Sequence, residues 1–255
     1  MLEPRDTIEF VKYIPDDTYD LIICDAPYGK IVKNKWDNKT FEFDEAYINN
    51  LNRILKPTGN LYVHCGMGEK SNSLIKWFGE FEGSEFKFKD TITWKKTRGI
   101  GMRKGWLQVS EFMLWYVKDN KQKIWNKENQ YSKEKRPFNI VKKGGAMVNK
   151  SEFKRYTTVW DIPEIGFGKS PRSLKELKKY ITHFTPKHPF LSDRMIKAHC
   201  DKNSKVYIPF AGSGMEILSC IYNGIDFDAT ELDVDNIRII NEYVLSGKIK
   251  FEDFL

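Results

Sequence analysis

The sequence predicts an α/β protein built on a mostly parallel sheet, and three features of the chain indicate it. Short apolar runs that end at turn signals are typical of strands buried on both faces of a sheet. Segments with helical spacing separate these runs, and such alternation favours parallel strands. At 255 residues the chain is long enough for one large domain, with or without a smaller insertion.

The first half of the chain supplies four predicted strands and two predicted helices. The strands share a short apolar or β-rich run bounded by turn residues, and they are 19–25, 61–65, 90–94 and 112–117. An apolar stripe predicts a helix over 43–55, which the Lys-Pro-Thr-Gly sequence at 56–59 should end. A second helix is predicted over 71–81.

Periodicity weakens from residue 118 to about 180, where one apolar landmark stands at 158–163, and we interpret this stretch as an inserted region. Regular patterns return after it. The predicted helices are 189–198, 214–223 and 233–245, and the predicted strands are 205–209 and 227–231. The insert therefore divides one α/β domain into two halves.

Positive charge is concentrated in the middle of the chain. Residues 91–187 hold 23 Lys and Arg against 8 Asp and Glu, although the whole chain has a net charge of only +7. This asymmetry favours a polyanion-binding surface, with nucleic acid as the expected partner and a merely solvated surface as the alternative.

The cysteines, the histidines and the lengths of the apolar runs argue against a metal-binding, membrane or secreted protein. The four cysteines are far apart and lie in apolar stretches, so we expect buried reduced thiols, and the four histidines lack metal-ligand spacing. We therefore predict no metal. The chain has no run of about eighteen apolar residues and no signal-peptide layout at its start, so we expect a cytoplasmic protein without a membrane partner.

A glycine-containing loop follows the predicted strand at 205–209 and precedes a helix. Its residues are Pro209, Phe210, Ala211, Gly212, Ser213 and Gly214. Glycines let a backbone approach a nucleotide-like ligand, and a helix amino terminus offers unpaired N–H groups. Glu231, about twenty residues further on, is placed to accept hydrogen bonds from ribose hydroxyls. Because Ile217 replaces the third glycine of the dinucleotide fingerprint, a smaller cofactor is favoured.

A second motif, Asp25-Ala26-Pro27-Tyr28, ends the predicted strand at 19–25. The amino group of an aromatic base is a poor nucleophile, and hydrogen-bond acceptors can localise its lone pair. The Asp25 carboxylate and the Ala26 carbonyl are candidate acceptors, Pro27 stiffens the turn, and Tyr28 can stack on the base.

With these motifs in this order, the chain resembles the amino-methyltransferases of bacterial and phage DNA modification, in the permuted arrangement called the β class. In that family an Asp-Pro-Pro-Tyr motif precedes the target-recognition region, and a Phe-x-Gly-x-Gly motif comes last. Further similar segments are 53–59, 185–189 and 159–163, together with Trp94 and Glu111. The resemblance covers nearly the whole chain.

The resemblance implies a Rossmann-like fold with a seven-stranded sheet. It also implies a catalytic half at 1–117, a target-recognition insert at 118–180 and a cofactor-binding half at 181–255. S-adenosylmethionine is the implied cofactor. Its implied contacts are Asp6, Asp25, Lys187, Phe210, Ala211, Gly212, Ser213, Gly214, Glu231 and Leu232.

The implied reaction is direct methyl transfer to the N6 amino group of an adenine that has been extruded from double-stranded DNA. Asp rather than Ser at the head of the motif favours adenine, and the cytosine N4 group is the alternative. The DNA-contacting residues are predicted to be Lys95, Lys96, Arg98, Arg103, Lys104, Arg136, Lys142 and Lys143. Family members often dimerise, so a homodimer is a further expectation.

Several residues depart from the family pattern. Ala26 replaces a proline, Ile208 stands where many members have Asp, and Met215 and Glu216 replace small hydroxyl residues after the loop. These departures keep open a non-catalytic nucleic-acid-binding protein with the same fold. A nicotinamide oxidoreductase is the third alternative. A cytosine-C5 enzyme would need a nucleophilic cysteine in a Pro-Cys pair, which the sequence lacks.

Overall fold

The structure is a computed structural model that describes residues 1–29, 39–68, 71–100, 105–119, 125–126, 131–136, 152–165 and 185–255. The described strands are β1 (Tyr19–Cys24), β2 (Leu55–Cys65), β3 (Lys87–Ile100), β4 (Gln108–Val117), β5 (Tyr131–Lys135), β6 (Phe153–Arg155), β7 (Val159–Asp161), β8 (Lys205–Ile208) and β9 (Asp226–Ala229). The described α-helices are α1 (Thr7–Val11), α2 (Glu45–Ile54), α3 (Ser73–Phe81), α4 (Pro189–His199), α5 (Met215–Asn223) and α6 (Val234–Ile239).

Seven of these strands form one sheet in the order β7-β3-β4-β2-β1-β8-β9. Strand β1 pairs in parallel with β2 and β8, and β8 pairs in parallel with β9. The exception is β4, which runs antiparallel to both β2 and β3. The predicted mostly parallel, seven-stranded α/β sheet is confirmed.

The sheet is covered on both faces because its central strands are apolar on both sides. All six residues of β1 are buried. Leu21 and Ile23 face one apolar cluster together with α4 and α5, whereas Ile22 and Cys24 face a second cluster together with α2 and α3. The continuous apolar run in the sequence therefore has a direct cause in this three-layer packing.

The chain changes direction across the sheet between β1 and β8. After β1 it passes through α2 to β2 on one side, and after β8 it passes through α5 to β9 on the other side. In open α/β sheets a ligand crevice forms at such a switch point, outside the carboxyl ends of the strands. Both motifs found in the sequence follow these two strands directly.

Three elements differ from their predicted form. Residues 56–59, expected to end a helix, lie inside β2, where the pairing with β1 is irregular and Lys56 contacts Asp20 at 2.7 Å. The helix predicted over 233–245 is α-helical only to Ile239 and continues as one π turn, Ile240–Val244.

The third difference concerns the predicted insert. Strand β7, which carries its apolar landmark, pairs in parallel with β3 and so belongs to the main sheet. Trp160 packs in the core, and the Trp94 indole donates to the carbonyl of Ile162 at 2.7 Å. The described strands that stand apart from the main sheet are the short ribbon of β5 and β6.

Candidate active site

The turn after β1 presents Asp25 and Tyr28 at the switch point. Two contacts from the segment at 39–41 hold this turn: Phe41 N donates to the Pro27 carbonyl at 2.9 Å, and Thr40 Oγ1 donates to the Tyr28 carbonyl at 2.8 Å. Among the described residues, no donor binds the carbonyl of Ala26. Neighbouring segments therefore fix the turn without the family's first proline and leave that carbonyl available.

Gly29 ends the turn in a conformation that only glycine adopts easily. Its φ is +81°, and a Cβ atom at this position would lie 2.3 Å from Thr40 N. This close approach is what lets the segment at 39–41 clamp the turn.

Four charged side chains form a chain of ion pairs beside this turn. Lys187 Nζ lies 3.2 Å from Asp25 Oδ2 and 3.3 Å from Glu111 Oε2. Glu111 Oε1 lies 2.7 Å from Lys96 Nζ. Lys187 is only 7% exposed, so water stabilises its charge little. The charge is stabilised mainly by its ion pairs with Asp25 and Glu111.

The pKa values of these groups follow from burial and pairing. Burial alone would raise the pKa of Glu111, but Lys187 and Lys96 outweigh it and lower that pKa to about 2. Burial alone would lower the pKa of Lys187, but Asp25 and Glu111 raise it above its usual value. Both groups are therefore charged at neutral pH.

The Tyr28 ring lies between this charge chain and the apolar core. Its hydroxyl donates to Glu111 Oε2 at 3.3 Å, Lys187 Nζ is 4.8 Å from its ring centroid, and its ring meets Trp77 edge to face at 5.7 Å. Burial holds the pKa of Tyr28 well above its usual value, so the phenol stays neutral. The ring is fixed from several sides.

The glycine loop follows β8 in a strained conformation. Phe210, Gly212 and Gly214 have φ angles of +58°, +52° and +80°. A Cβ atom on Gly214 would lie 2.9 Å from Ile240 Cγ1, so this glycine is required both by its φ angle and by its close packing. The Phe210 ring meets Phe41 edge to face at 4.8 Å, which links the loop to the clamp on the turn after β1.

Glu231 braces the loop from the end of β9. Its Oε2 atom accepts from Gly212 N at 2.6 Å, and its Oε1 atom accepts from Leu232 N at 2.9 Å and Asp233 N at 2.8 Å. Burial raises its pKa. The predicted ribose-binding carboxylate thus has a second role, because it fixes the loop that the cofactor would rest on.

The other predicted cofactor contacts lie around the same loop. Asp6 caps α1, accepting from Ile8 N at 2.7 Å, and Arg5 N donates to the Glu231 carbonyl at 2.8 Å, which brings the amino terminus to this site. Leu232 is 60% exposed beside Glu231, as a side chain that covers a nucleobase would be. Ala211 and Ser213 are buried within the loop.

This set of groups fits S-adenosylmethionine. A glycine loop opens helix α5, the Glu231 carboxyl group and the exposed Leu232 side chain beside this loop would hold the nucleoside, and charged groups stand beside Asp25. The methionine part of this cofactor is itself charged, which the ion pairs around Lys187 can match.

The predicted DNA-contacting residues that the structure describes lie in three different environments. Lys95 is half-exposed and pairs with Asp161 at 2.9 Å, whereas Lys96 is mostly buried and belongs to the charge chain through Glu111. Arg136 donates to the Phe153 carbonyl in the β5–β6 ribbon. The side chain of Arg98, and residues Arg103, Lys104, Lys142 and Lys143, lie outside the described residues.

Sequence reasoning left three polar residues out of the predicted site. The sequence identifies Glu111 only as a residue similar to one in the family. The feature that could have pointed to a functional role is its charge, which stands directly before the apolar run of β4. His64 is buried at the end of β2, neither of its ring nitrogens has a hydrogen-bond partner among the described residues, and burial lowers its pKa to about 4. The third is Glu216, 6% exposed in the first turn of α5.

Metal-binding clusters and membrane-spanning helices are absent from the described ranges. These ranges contain no group of three or more His, Cys, Asp or Glu side chains that could hold a metal ion. All four cysteines are buried and unpaired. Within the same ranges, no helix is long and apolar enough to cross a membrane.

Comparison with known proteins identifies the family. Residues 19–242 match the family model for N6/N4 DNA methylases, so the chain belongs to that family. It is therefore an S-adenosylmethionine-dependent DNA methyltransferase, as the resemblance implied, and the oxidoreductase alternative is excluded.

Individual relatives agree with this assignment. The chain is 27% identical over 247 residues to the type II methyltransferase M.HpaI of Haemophilus parainfluenzae, covering 92% of this chain and 73% of that protein. It is 26% identical over 258 residues to the DNA adenine methyltransferase YhdJ of Escherichia coli K12, covering 92% and 79%.

Solved structures show the same fold. A complex of M1.HpyAVI with S-adenosylmethionine matches with a TM-score of 0.62 at 20% identity, covering 94% of this chain and 96% of that one. The cytosine-N4-specific PvuII DNA methyltransferase matches with a TM-score of 0.68 at 14% identity, covering 98% and 88%.

Proposed function

We propose that this protein methylates the N6 amino group of adenine at specific sites in double-stranded DNA. The observation that carries the proposal is the turn at the end of β1, where the Asp25 carboxylate and the unoccupied Ala26 carbonyl stand beside the fixed ring of Tyr28. Two acceptors and one aromatic face are what an extruded amino-bearing base requires.

Each residue of the turn has a defined task. Asp25 and the Ala26 carbonyl each accept one N–H of the target amino group, which localises the nitrogen lone pair toward the cofactor. Tyr28 stacks on the base. When bound, S-adenosylmethionine supplies an electrophilic methyl group on its sulfonium. The nitrogen then loses a proton, which the partly exposed Asp25 carboxylate can accept and pass to solvent.

Lys187 and Glu111 act by holding this arrangement in place. Lys187 joins Asp25 to Glu111 and lies over the Tyr28 ring, so it fixes the carboxylate and the stacking ring relative to each other. Catalysis of this kind depends on positioning, because a misplacement of about 1 Å can cost about a hundredfold in rate.

The arm formed by β3 and β4 favours duplex DNA as the partner. Strand β4 begins at the edge where β2 ends, because Cys65 pairs with Phe112 and Gln108 contacts the Met67 carbonyl. Trp106 and Leu107, just before β4, are 94% and 63% exposed at this catalytic edge. An exposed aromatic ring on a basic arm is suited to stacking on bases near the extruded one.

Adenine is favoured over cytosine because Asp25 heads the motif, and the cytosine N4 group is the alternative that the family match also allows. We also propose that 118–180 includes the target-recognition region. The described β5–β6 ribbon carries Lys154 and Arg155 for contacts to the DNA backbone.

The test is to incubate the protein with labelled S-adenosylmethionine and mixed-sequence duplex DNA and then to hydrolyse the DNA to nucleosides. Label in N6-methyl-2′-deoxyadenosine supports the proposal, and label in N4-methyl-2′-deoxycytidine would make cytosine the target base instead of adenine. Sequencing the methylated positions in DNA from cells that express the protein would then give the recognition site. An absence of transfer would favour the non-catalytic DNA-binding alternative.

A further inference from the structure

Glu216 is a buried carboxyl group on the cofactor side of the fold. It lies in the first turn of α5, two residues after Gly214, and only 6% of it is exposed. Apart from its own backbone N–H, no donor among the described residues binds this carboxyl group. A buried carboxylate without a partner is costly, so this group either stays protonated or pairs with a cationic ligand.

Two charged groups of the candidate site act electrostatically on Glu216, which follows the glycine loop by two residues. They are Asp25, from the end of β1, and Lys187, from the segment before α4. Asp25 repels its charge and Lys187 attracts it, but Lys187 is already held between Asp25 and Glu111. Glu216 therefore lies at the start of α5, directly after the glycine loop, and none of the described residues forms an ion pair with it.

The methionine part of the family's cofactor carries two positive groups, an α-ammonium group and a sulfonium. Only the ammonium has N–H donors, and a carboxylate binds such donors through strong charge-assisted hydrogen bonds. We propose that Glu216 binds the α-ammonium group of S-adenosylmethionine. This assignment rests on the family's cofactor and not on the proposed target base.

The ionisation of Glu216 supports this assignment. Burial, followed by repulsion from Asp25, raises its pKa to about 7. In the free protein the group is then partly protonated near neutral pH, and pairing with an ammonium would lower its pKa and release protons. The departure from the family's small hydroxyl residue thus becomes a cofactor contact of this chain.

The test titrates the protein, without DNA, with three ligands. S-adenosylmethionine carries both the ammonium and the sulfonium, S-adenosylhomocysteine carries only the ammonium, and 5′-methylthioadenosine carries neither. The Glu216→Gln variant should bind the first two about tenfold or more weakly and the third unchanged. Calorimetry in buffers of different ionisation enthalpy should show that proton release at pH 7 disappears in this variant.

Two further variants serve as controls. Glu85→Gln removes an exposed carboxylate at the opposite edge, near Asp17 and Lys118, and should change none of the three affinities. Glu216→Thr introduces the type of side chain common in the family, and it replaces Glu216→Gln if that variant proves unstable in thermal unfolding. It should then bind S-adenosylmethionine and S-adenosylhomocysteine more weakly and 5′-methylthioadenosine unchanged.

Three results would overturn the assignment. Unchanged affinity for all three ligands would mean that Glu216 is a structural carboxylic acid. Weaker binding of S-adenosylmethionine alone would assign Glu216 to the sulfonium. Equal weakening of all three would mean that the loop is distorted. Because no DNA is present, each result leaves the proposed methylation of adenine to be judged separately.

Discussion

The substitution Glu111→Gln tests whether the charge chain holds the site together. Glu111 bridges Lys96 and Lys187 and accepts from the Tyr28 hydroxyl. The drop in its pKa from an ordinary 4.5 to about 2 corresponds to about 3 kcal/mol of folding free energy at pH 7. Glutamine keeps the shape of the side chain but removes the charge, so the variant should lose about that amount.

The pH dependence of this loss gives the sharper test. Because the pKa of Glu111 is lower in the folded protein, its stabilisation is complete above pH 4.5 and is lost as the pH falls toward 2. Urea unfolding should show a difference of about 3 kcal/mol between the two proteins at pH 7 and about 2 kcal/mol at pH 3.5.

Glu9→Gln is the matched control, because it breaks the exposed pair with Lys12, which water screens, and it should therefore cost far less than Glu111→Gln at pH 7. The reasoning is refuted if Glu111→Gln costs no more than this control. A large cost that does not change between pH 7 and pH 3.5 would also refute it, since packing and not charge would then explain the loss.

Two other substitutions test the loop and the arm. Gly214→Ala should lower the free energy of unfolding by about 1 to 3 kcal/mol more than Gly83→Ala does, as measured by urea unfolding. Both glycines have φ near +80°, but only a Cβ on Gly214 meets Ile240. Equal losses would show that backbone strain alone matters. Trp106→Ala should weaken binding to duplex DNA about tenfold and leave cofactor affinity unchanged, whereas Tyr13→Ala, which removes another exposed ring, should alter neither. Unchanged DNA affinity in the Trp106 variant would remove the arm from the interface.

Much of the fold could be predicted because its signals are local. The apolar run of β1 and the amphipathic stripe of α2 each reflect burial that the sequence shows directly. The extension of β2 through residues 56–59 could not be predicted, since Pro and Gly normally end an element and here they lie where the pairing with β1 is irregular.

The candidate site, like the fold, has parts that the sequence predicts and parts that it does not. Asp25 and the glycine loop each follow a predicted strand, so their meeting at the switch point could be expected from topology alone. Lys96 was assigned to DNA on charge, but its pairing with Glu111 depends on the register between β3 and β4, which brings residues 15 positions apart into contact. The sign of a side chain's charge can be predicted from sequence, whereas the residue with which it forms an ion pair cannot.

The central claim is that the turn at Asp25 performs methyl transfer to DNA. The direct measurement is transfer of label from S-adenosylmethionine to duplex DNA by the unaltered protein and by the Asp25→Ala variant, with DNA affinity measured on both. In the variant, transfer should fall by at least about a thousandfold while DNA binding is retained. Transfer by the variant at a rate near that of the unaltered protein would contradict the central claim.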